Sequence, residues 1–398
     1  MFENSPSGEL VPVKGTDPHR GPWEHKAFLS YPLPSDSPDL SGETYRVVSN
    51  ARATLAALDA TARSMPNPRL FRQPTLRIEA QSTAALEGTY EPLARVLTAS
   101  EDDVPDANLR EVLNYVAVAE DAFAWVEQGR PWTVGMLSAL QVKLMAGTPA
   151  ENHHTGRIRP IQVVIGRRPD AAPGEPPIAA ASFVPPPPGP DLEARVARLL
   201  AWMQQDHSAH IDPVVAAAMA HYEFEALHPF IDGNGRIGRL LIVLHLNRAG
   251  VISEPTLSVS PWFEARRGLY YDRLLAVSSV GDWDGWVRFF AQGLHESALS
   301  THRRMVTLSS VQAALKEEIQ HSHLRSGSAR LLVDVAVSRP TFTIRQVERD
   351  LGISYGRART LVDSLVELGV LHQWGPSARN RPFYAPKVME VLLGSSAR

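Results

Sequence analysis

Residues 228–239, HPFIDGNGRIGR, crowd a histidine, an aspartate, two glycines about an asparagine and two arginines into twelve positions. A turn between helices accounts for His-Pro and for Asp-Gly-Asn-Gly. It does not account for two arginines in the first turn of the next helix, where the dipole disfavours positive charge. They make sense if an anion sits there. Unpaired N–H groups at a helix start, and successive N–H groups around glycines, form a concave anion nest. Gly233 and Gly235 let the backbone approach a phosphate, while Asn234 tolerates a left-handed conformation and adds an amide donor. Arg236 and Arg239 can fork onto further oxygens, which suits a polyphosphate better than one phosphate. Asp232 is a hard oxygen ligand placed for a Mg²⁺ that bridges phosphates. His228 has the reference pKa of a general base. Base, metal ligand, cradle and clamp together imply phosphoryl or nucleotidyl transfer. No G-x-x-x-x-G-K-[ST] run occurs, which excludes a P-loop NTPase.

The elements that must hold these groups are helical. DPVVAAAMAHYEFEALH (212–228) starts with Asp212 at the N-cap and Pro213 in the first turn, and must end near His228 because Pro229 follows. A second helix begins around Gly235 and stops at Gly250. Earlier helices are expected over 45–65, over 75–88 with Gly88 as its stop, over 106–128 and over 135–145. GRIRPIQVVIG (156–166) and AASFVPPPPGP (180–190) are expected to form a β-hairpin joined by a polar loop. Residues 1–40 are expected to be an extended arm.

The 398 residues suggest two or three domains. Composition is that of a soluble globular protein: 44% hydrophobic, 21% charged. Without cysteine, disulfides, zinc ribbons and thiol nucleophiles are excluded. The longest apolar run, LLIVLHL, cannot span a bilayer, and the N-terminus lacks a signal-peptide pattern, so a cytoplasmic protein without membrane contact is expected. Residues 321–398 carry eleven Lys/Arg and six Asp/Glu, net +5, leaving −8 for the rest of a chain whose total is −3. Within this basic tail, residues 341–386 read as helix, turn, helix and two short strands, the order of a winged helix-turn-helix. Arg357 and Arg359 stand early in its second helix, and Arg379 and Arg381 in the wing. DNA binding or protein docking through 300–398 are both open to it.

HPFIDGNGRIGR resembles the Fic-family motif H-x-F-x-[D/E]-G-N-G-R-x-x-R at every fixed position. GRIRPIQVVIG with ASFVPPPP resembles the flap hairpin of that family, and LYYDRLLAVSSVGDWDGWVRFF the segment after its catalytic helix. The resemblance covers roughly 25–295. It implies a mainly α protein: a Fic helical core with a small β-hairpin flap, plus a C-terminal winged helix-turn-helix domain. The corresponding division is an arm over 1–40, a helical region over 41–105, a catalytic core over 106–298 and the winged helix over 299–398. The implied activity is transfer of AMP from ATP to a Tyr, Thr or Ser hydroxyl of a target protein, or of the chain itself. His228 would deprotonate the hydroxyl and Asp232 would hold Mg²⁺. Asn234 and Gly235 would bind the α-phosphate, Arg236 the β-phosphate and Arg239 the γ-phosphate. Tyr271 would line the adenine pocket, and Gln162, Val163, Val164 and Ile165 would pair with the target as an edge strand.

STAALEG (82–88) resembles the family's inhibitory motif [S/T]-x-x-x-E-[G/N], here Thr83, Glu87 and Gly88. It implies that Glu87 pairs with Arg239 and takes the γ-phosphate position. Two other readings remain: removal of AMP from a target, with Glu87 positioning a water, and a DNA-binding regulator whose Fic core senses nucleotide. Homodimerisation is implied by resemblance alone.

Overall fold

The computed structural model describes residues 2–17, 20–99, 105–324, 326–375 and 381–394. The expected arm is not extended coil throughout: β1 (Gly8–Asp17) and β2 (Gly21–Ser30) form an antiparallel hairpin, Gly8 opposite Ser30 and Asp17 opposite Gly21. Beyond it the chain is mainly helical, in agreement with the expected fold class. Helix α1 (Gly42–Ser64) buries Thr44, Val48, Ala51, Leu55, Leu58 and Ala62, an alternating spacing of four and three. After a short 3₁₀ turn at Pro68–Phe71 come α2 (Arg72–Leu86), α3 (Leu93–Thr98), α4 (Ala107–Glu127) and α5 (Val134–Met145). A four-residue turn, α6 (Pro177–Ala180), and α7 (Pro190–Met203) lead to α8 (Pro213–Leu227) and α9 (Asn234–Arg248). Asp212 caps α8 by accepting from Val214 N, with Pro213 in its first turn.

Helices α10 (Ser260–Glu264) and α11 (Arg267–Val280) precede α12 (Trp283–His321), a single helix of 39 residues that runs unbroken through 298–299. Its buried residues Val287, Ala291, Leu294, Ala298, Thr301, Met305 and Leu308 repeat the spacing of α1. That is a heptad-like seam. Ser41 binds Asp284, Glu43 pairs with Arg288 and Thr61 meets His302, so the two helices run parallel. Among the described residues no helix is long and apolar enough to cross a membrane.

The expected flap hairpin shrinks to one bridge, Ile165 with Phe183, and β2 continues it through Phe28 N–H donating to Val184 O at 2.8 Å. The physical reason is in the chain: Pro185–Pro188 have no N–H to extend a ladder. At the C-terminus α13 (Gly327–Ser338), β3 (Phe342–Thr343), α14 (Ile344–Leu351) and α15 (Tyr355–Glu367) are followed by β4 (His372–Gln373), β5 (Pro382–Tyr384) and α16 (Pro386–Leu393). The three strands order as β3-β5-β4. Arg379 lies outside the described residues.

Leu55, fully buried on the α1 seam, sets a test of this architecture. Leu55→Ala should cost about 2–5 kcal/mol in denaturant unfolding, the range for a large-to-small change in a packed core.

Candidate active site

Helix α8 cannot continue past His228, because Pro229 bars the helical region to the residue before it. His228 instead adopts φ 48°, ψ 62°, with its N–H closing the helix onto Phe224 O at 3.0 Å. Among the described residues only Asn4 shares a positive φ without being glycine. The loop that follows is fixed from inside. Phe230 N–H donates to Asn234 Oδ1 at 2.9 Å and Asn234 Nδ2 donates to Phe230 O at 2.8 Å. The Asn234 side chain thus closes its own loop, with one of its two amide N–H groups taken by Phe230 O. Gln141 Nε2 holds Asp232 O at 3.2 Å. Gly233 (φ 87°) starts α9, and a Cβ there would crowd Leu144 and Met145 at 3.0 and 3.1 Å.

The start of α9 carries both arginines inward, Arg236 2% and Arg239 0% exposed. Arg236 donates to Asp232 Oδ1 at 2.7 Å and to Glu111 Oε2 at 3.3 Å. Arg239 Nε donates to Thr83 Oγ1 at 2.7 Å, and its Nη2 donates to Thr83 O at 3.1 Å and to Glu87 Oε1 at 2.6 Å. Thr83 is on the last turn of α2; Glu87 is its C-cap, and Gly88 turns the chain away at φ 96°. The Glu87 carboxylate lies directly on Gly235, where an added Cβ would overlap Oε1. It therefore lies against Gly235 in the first turn of α9, bonded to Arg239.

These groups open onto a cavity of about 520 Å³. His228, Gly235, Arg239, Glu87, Tyr271, Val164 and Ile165 all line it. Thr83, Gly88, Gln162, Val163, Asp232, Gly233, Asn234 and Arg236 do not. The Glu87 side chain is 32% exposed, and that exposure faces the cavity. Burial would push its carboxyl up, but Arg239, with Arg236 and His228 behind it, holds it below the ordinary carboxylate value. The same pairing holds the Arg239 guanidinium further up against burial. Burial, then Arg159, pushes the His228 imidazole down to about 4, so it is neutral at pH 7. The Tyr271 ring packs on Tyr270 at 5.1 Å between centroids, its hydroxyl 3.4 Å from Leu86 O. Gln162 Nε2 ties the flap segment to Pro185 O at 2.9 Å.

For a divalent cation, Asp232 is the protein ligand on offer. Its side chain is 46% exposed with Oδ1 taken by Arg236. Among the described residues no group of three His, Asp or Glu converges to hold a metal. The donor set fits a hard cation that draws its remaining ligands from substrate oxygens and water.

Two residues in this region escaped the sequence reading. Glu225 lines the cavity, and burial, opposed by Arg239, pushes its carboxyl up to about 8. Its place three residues before His228, in the last turn of α8, is a signal that could have found it. Arg159 binds main-chain carbonyls around His228, and backbone acceptors leave no trace in residue types.

Residues 131–246 match the Fic/DOC family, and residues 45–124 match its N-terminal family, Fic/DOC family N-terminal. The chain thus carries a Fic/DOC family domain with the N-terminal region that accompanies it. Over 106 residues it is 42% identical to protein adenylyltransferase Fic of Drosophila yakuba and 41% identical to that of Drosophila melanogaster. Each match covers 26% of this chain and 20% of the relative, so the chain spans about a fifth of these relatives' length. The fold is also that of a Fic family protein from Desulfovibrio desulfuricans G20, with a TM-score of 0.54 and 22% identity over 88% of this chain and 98% of that one.

The Glu87–Arg239 pair predicts a pH dependence. A carboxyl held below its ordinary value of 4.5 adds stability that is full above that pH and is lost as pH falls through the lowered value. Wild type should therefore melt above Glu87→Gln at neutral pH, with the gap closing on acidification below 4.5.

Proposed function

We propose that this chain is a protein adenylyltransferase that moves AMP from ATP to a hydroxyl side chain of a protein, held inactive by Glu87. The observation that carries the proposal is the Glu87 carboxylate lying on Gly235 and bonded to Arg239 at 2.6 Å. An internal anion there supports reading the nest and its arginine as a phosphate site. In this reading the backbone N–H groups of Asn234 and Gly235 take the α-phosphate, with Gly233 giving room. Arg236 takes the β-phosphate and Arg239 the γ-phosphate. Tyr271 stacks on adenine. Asp232 would hold Mg²⁺, which when bound neutralises phosphate charge.

The neutral imidazole of His228 removes the proton from the target hydroxyl as its oxygen attacks the α-phosphorus, and pyrophosphate leaves. The flap edge, Gln162–Ile165, aligns an extended target segment through main-chain bonds. With Glu87 in place the γ-phosphate has no seat on Arg239, and Thr83 and Gly88 keep the glutamate there.

The three-stranded β3-β5-β4 sheet beside α14 and α15 supports reading 299–398 as a winged helix. Tyr355, 40% exposed beneath Arg345, and Arg357 begin α15, the element that would enter a groove. Full-length protein that binds random duplex DNA with affinity falling steeply as salt rises would assign this part to nucleic acid, and salt-insensitive or absent binding would assign it to protein docking.

Intact-mass analysis with ATP and Mg²⁺, alone and in lysate, tests the catalytic proposal. Glu87→Gly should add the mass of AMP to itself or to a partner far faster than wild type. His228→Ala in that background should lower the rate by about 10²–10⁴-fold, the span for loss of a general base. Equal labelling by wild type and Glu87→Gly would refute inhibition by Glu87. No labelling by Glu87→Gly would favour the regulator reading, and loss of AMP from a pre-modified target with wild type alone would favour the reverse reaction.

A further inference from the structure

Arg159 stands at the root of the flap segment, 1% exposed. Its side chain meets carbonyl oxygens. Nε donates to His228 O at 2.8 Å, Nη1 to Ile161 O at 3.2 Å, and Nη2 to Leu227 O at 3.5 Å and to Pro186 O. Its backbone N–H donates to Pro229 O at 2.8 Å. Burial lowers its pKa to about 10 with no carboxylate compensating, so the cation persists at neutral pH.

A buried cation without a counter-ion is costly, and here its hydrogen bonds are concentrated where the backbone needs them. Leu227, His228 and Pro229 are consecutive at the end of α8, where helix carbonyls lose their intrahelical donors. His228 also holds a left-handed conformation that is strained for a residue other than glycine. Ile161 and Pro186 lie on the two sides of the flap base.

We infer that Arg159 is a positioning residue for His228: by binding the carbonyls of 227–229 together with those of Ile161 and Pro186, it holds the histidine in its left-handed conformation and ties that conformation to the root of the flap. The inference rests on reading His228 as the base of the proposed transfer.

The same guanidinium acts on the imidazole through space. Around the cavity that His228 lines stand Arg167 from the flap segment, Glu87 beyond α2, Glu225 on α8 itself, Arg239 on α9, and Arg267 and Asp272 on α11. After burial, Arg159 is the main influence depressing the imidazole; Glu87 and the Glu225 backbone raise it. Removing the Arg159 charge should therefore raise the pH at which His228 protonates and its base form is lost.

The test uses Glu87→Gly as parent, with Arg159→Gln and Arg159→Lys added. The rate of AMP transfer is measured against pH, ATP affinity by calorimetry, and the His228 imidazole titration by NMR. Arg159→Gln should bind ATP within about twofold of the parent yet lose roughly 10²-fold in kcat, the scale of misplacing one reacting group by about an ångström. Its acid limb and its imidazole titration should both move to higher pH. Arg159→Lys keeps the charge without the fork, so it should keep the acid limb and recover part of the rate. A loss of ATP affinity matching the loss of rate, or an unmoved imidazole, overturns the proposal. If Arg159→Gln does not fold, full parental kcat in Arg159→Lys overturns it. If the parent itself transfers no AMP, the transferase reading has failed, and the NMR titration still decides whether Arg159 controls His228.

Discussion

Everything around the cavity answers to one electrostatic constraint: two guanidinium groups are buried in the first turns of a helix whose N-terminus is already positive. Arg236 and Arg239 cannot be left there without an anion, since an unpaired buried charge costs several kcal/mol and the helix dipole adds to the penalty. The chain meets the demand internally. Asp232 and Glu111 take Arg236, and Glu87 takes Arg239. Each carboxylate comes from a different place in the sequence, which fixes how α2, α4 and α9 must converge. The convergence is reinforced by Glu79, a buried carboxyl on α2 that accepts from Ser258 Oγ and Ser260 N at 2.9 Å each and so fastens α2 beside α10.

If Glu87 acts as the proposed brake, the same constraint explains how the site stays ready to bind. Arg239 makes three hydrogen bonds, and two of them go to Thr83 rather than Glu87. If Glu87 leaves, the guanidinium keeps its orientation and lacks only a negative partner. A phosphate arriving on Gly235 would find the donor in position, so little reorganisation is needed at the moment of binding. In the proposed reading Glu87 competes with phosphate for Arg239, whose orientation Thr83 also holds. Its carboxylate stays ionised because Arg239 outweighs the cost of burial.

The local grammar of the sequence exposed much of this. Asp212-Pro213, His228-Pro229, Gly88 and Gly250 marked helix ends that the structure shares, because caps and prolines act within a few residues. The contact of Glu87 with Arg239 came through a resemblance, since nothing in either segment names its partner. Other features were hidden for physical reasons. Pro12 and Gly15 obscured the β1–β2 hairpin, whose strands pair along their whole length. The flap read as a hairpin because β-branched residues suit strands, while its prolines limit it to one bridge. Asn234 has the right type for an anion nest, yet its amide closes the loop onto Phe230, a choice decided by rotamer and not by residue type. Arg159 is bound by carbonyls, which every residue carries.

The geometry of α2 also limits what can move. Its start packs against the 3₁₀ turn at Pro68–Phe71, which α13 covers, and its middle is fastened by Glu79. Its last turn is held by Thr83 on Arg239. Beyond the buried Leu86 the grip ends: Glu87 is the C-cap, followed by Gly88 in a left-handed turn with open space where a Cβ would stand. Displacing the whole helix would break the Glu79 bonds and the core contacts of Leu76, Ile78 and Leu86. Swinging one side chain breaks a single charge-assisted bond and leaves Arg239 in need of an arriving anion. The least costly way to free Gly235 and Arg239 is therefore a rotation of Glu87 about the end of a helix that stays in place.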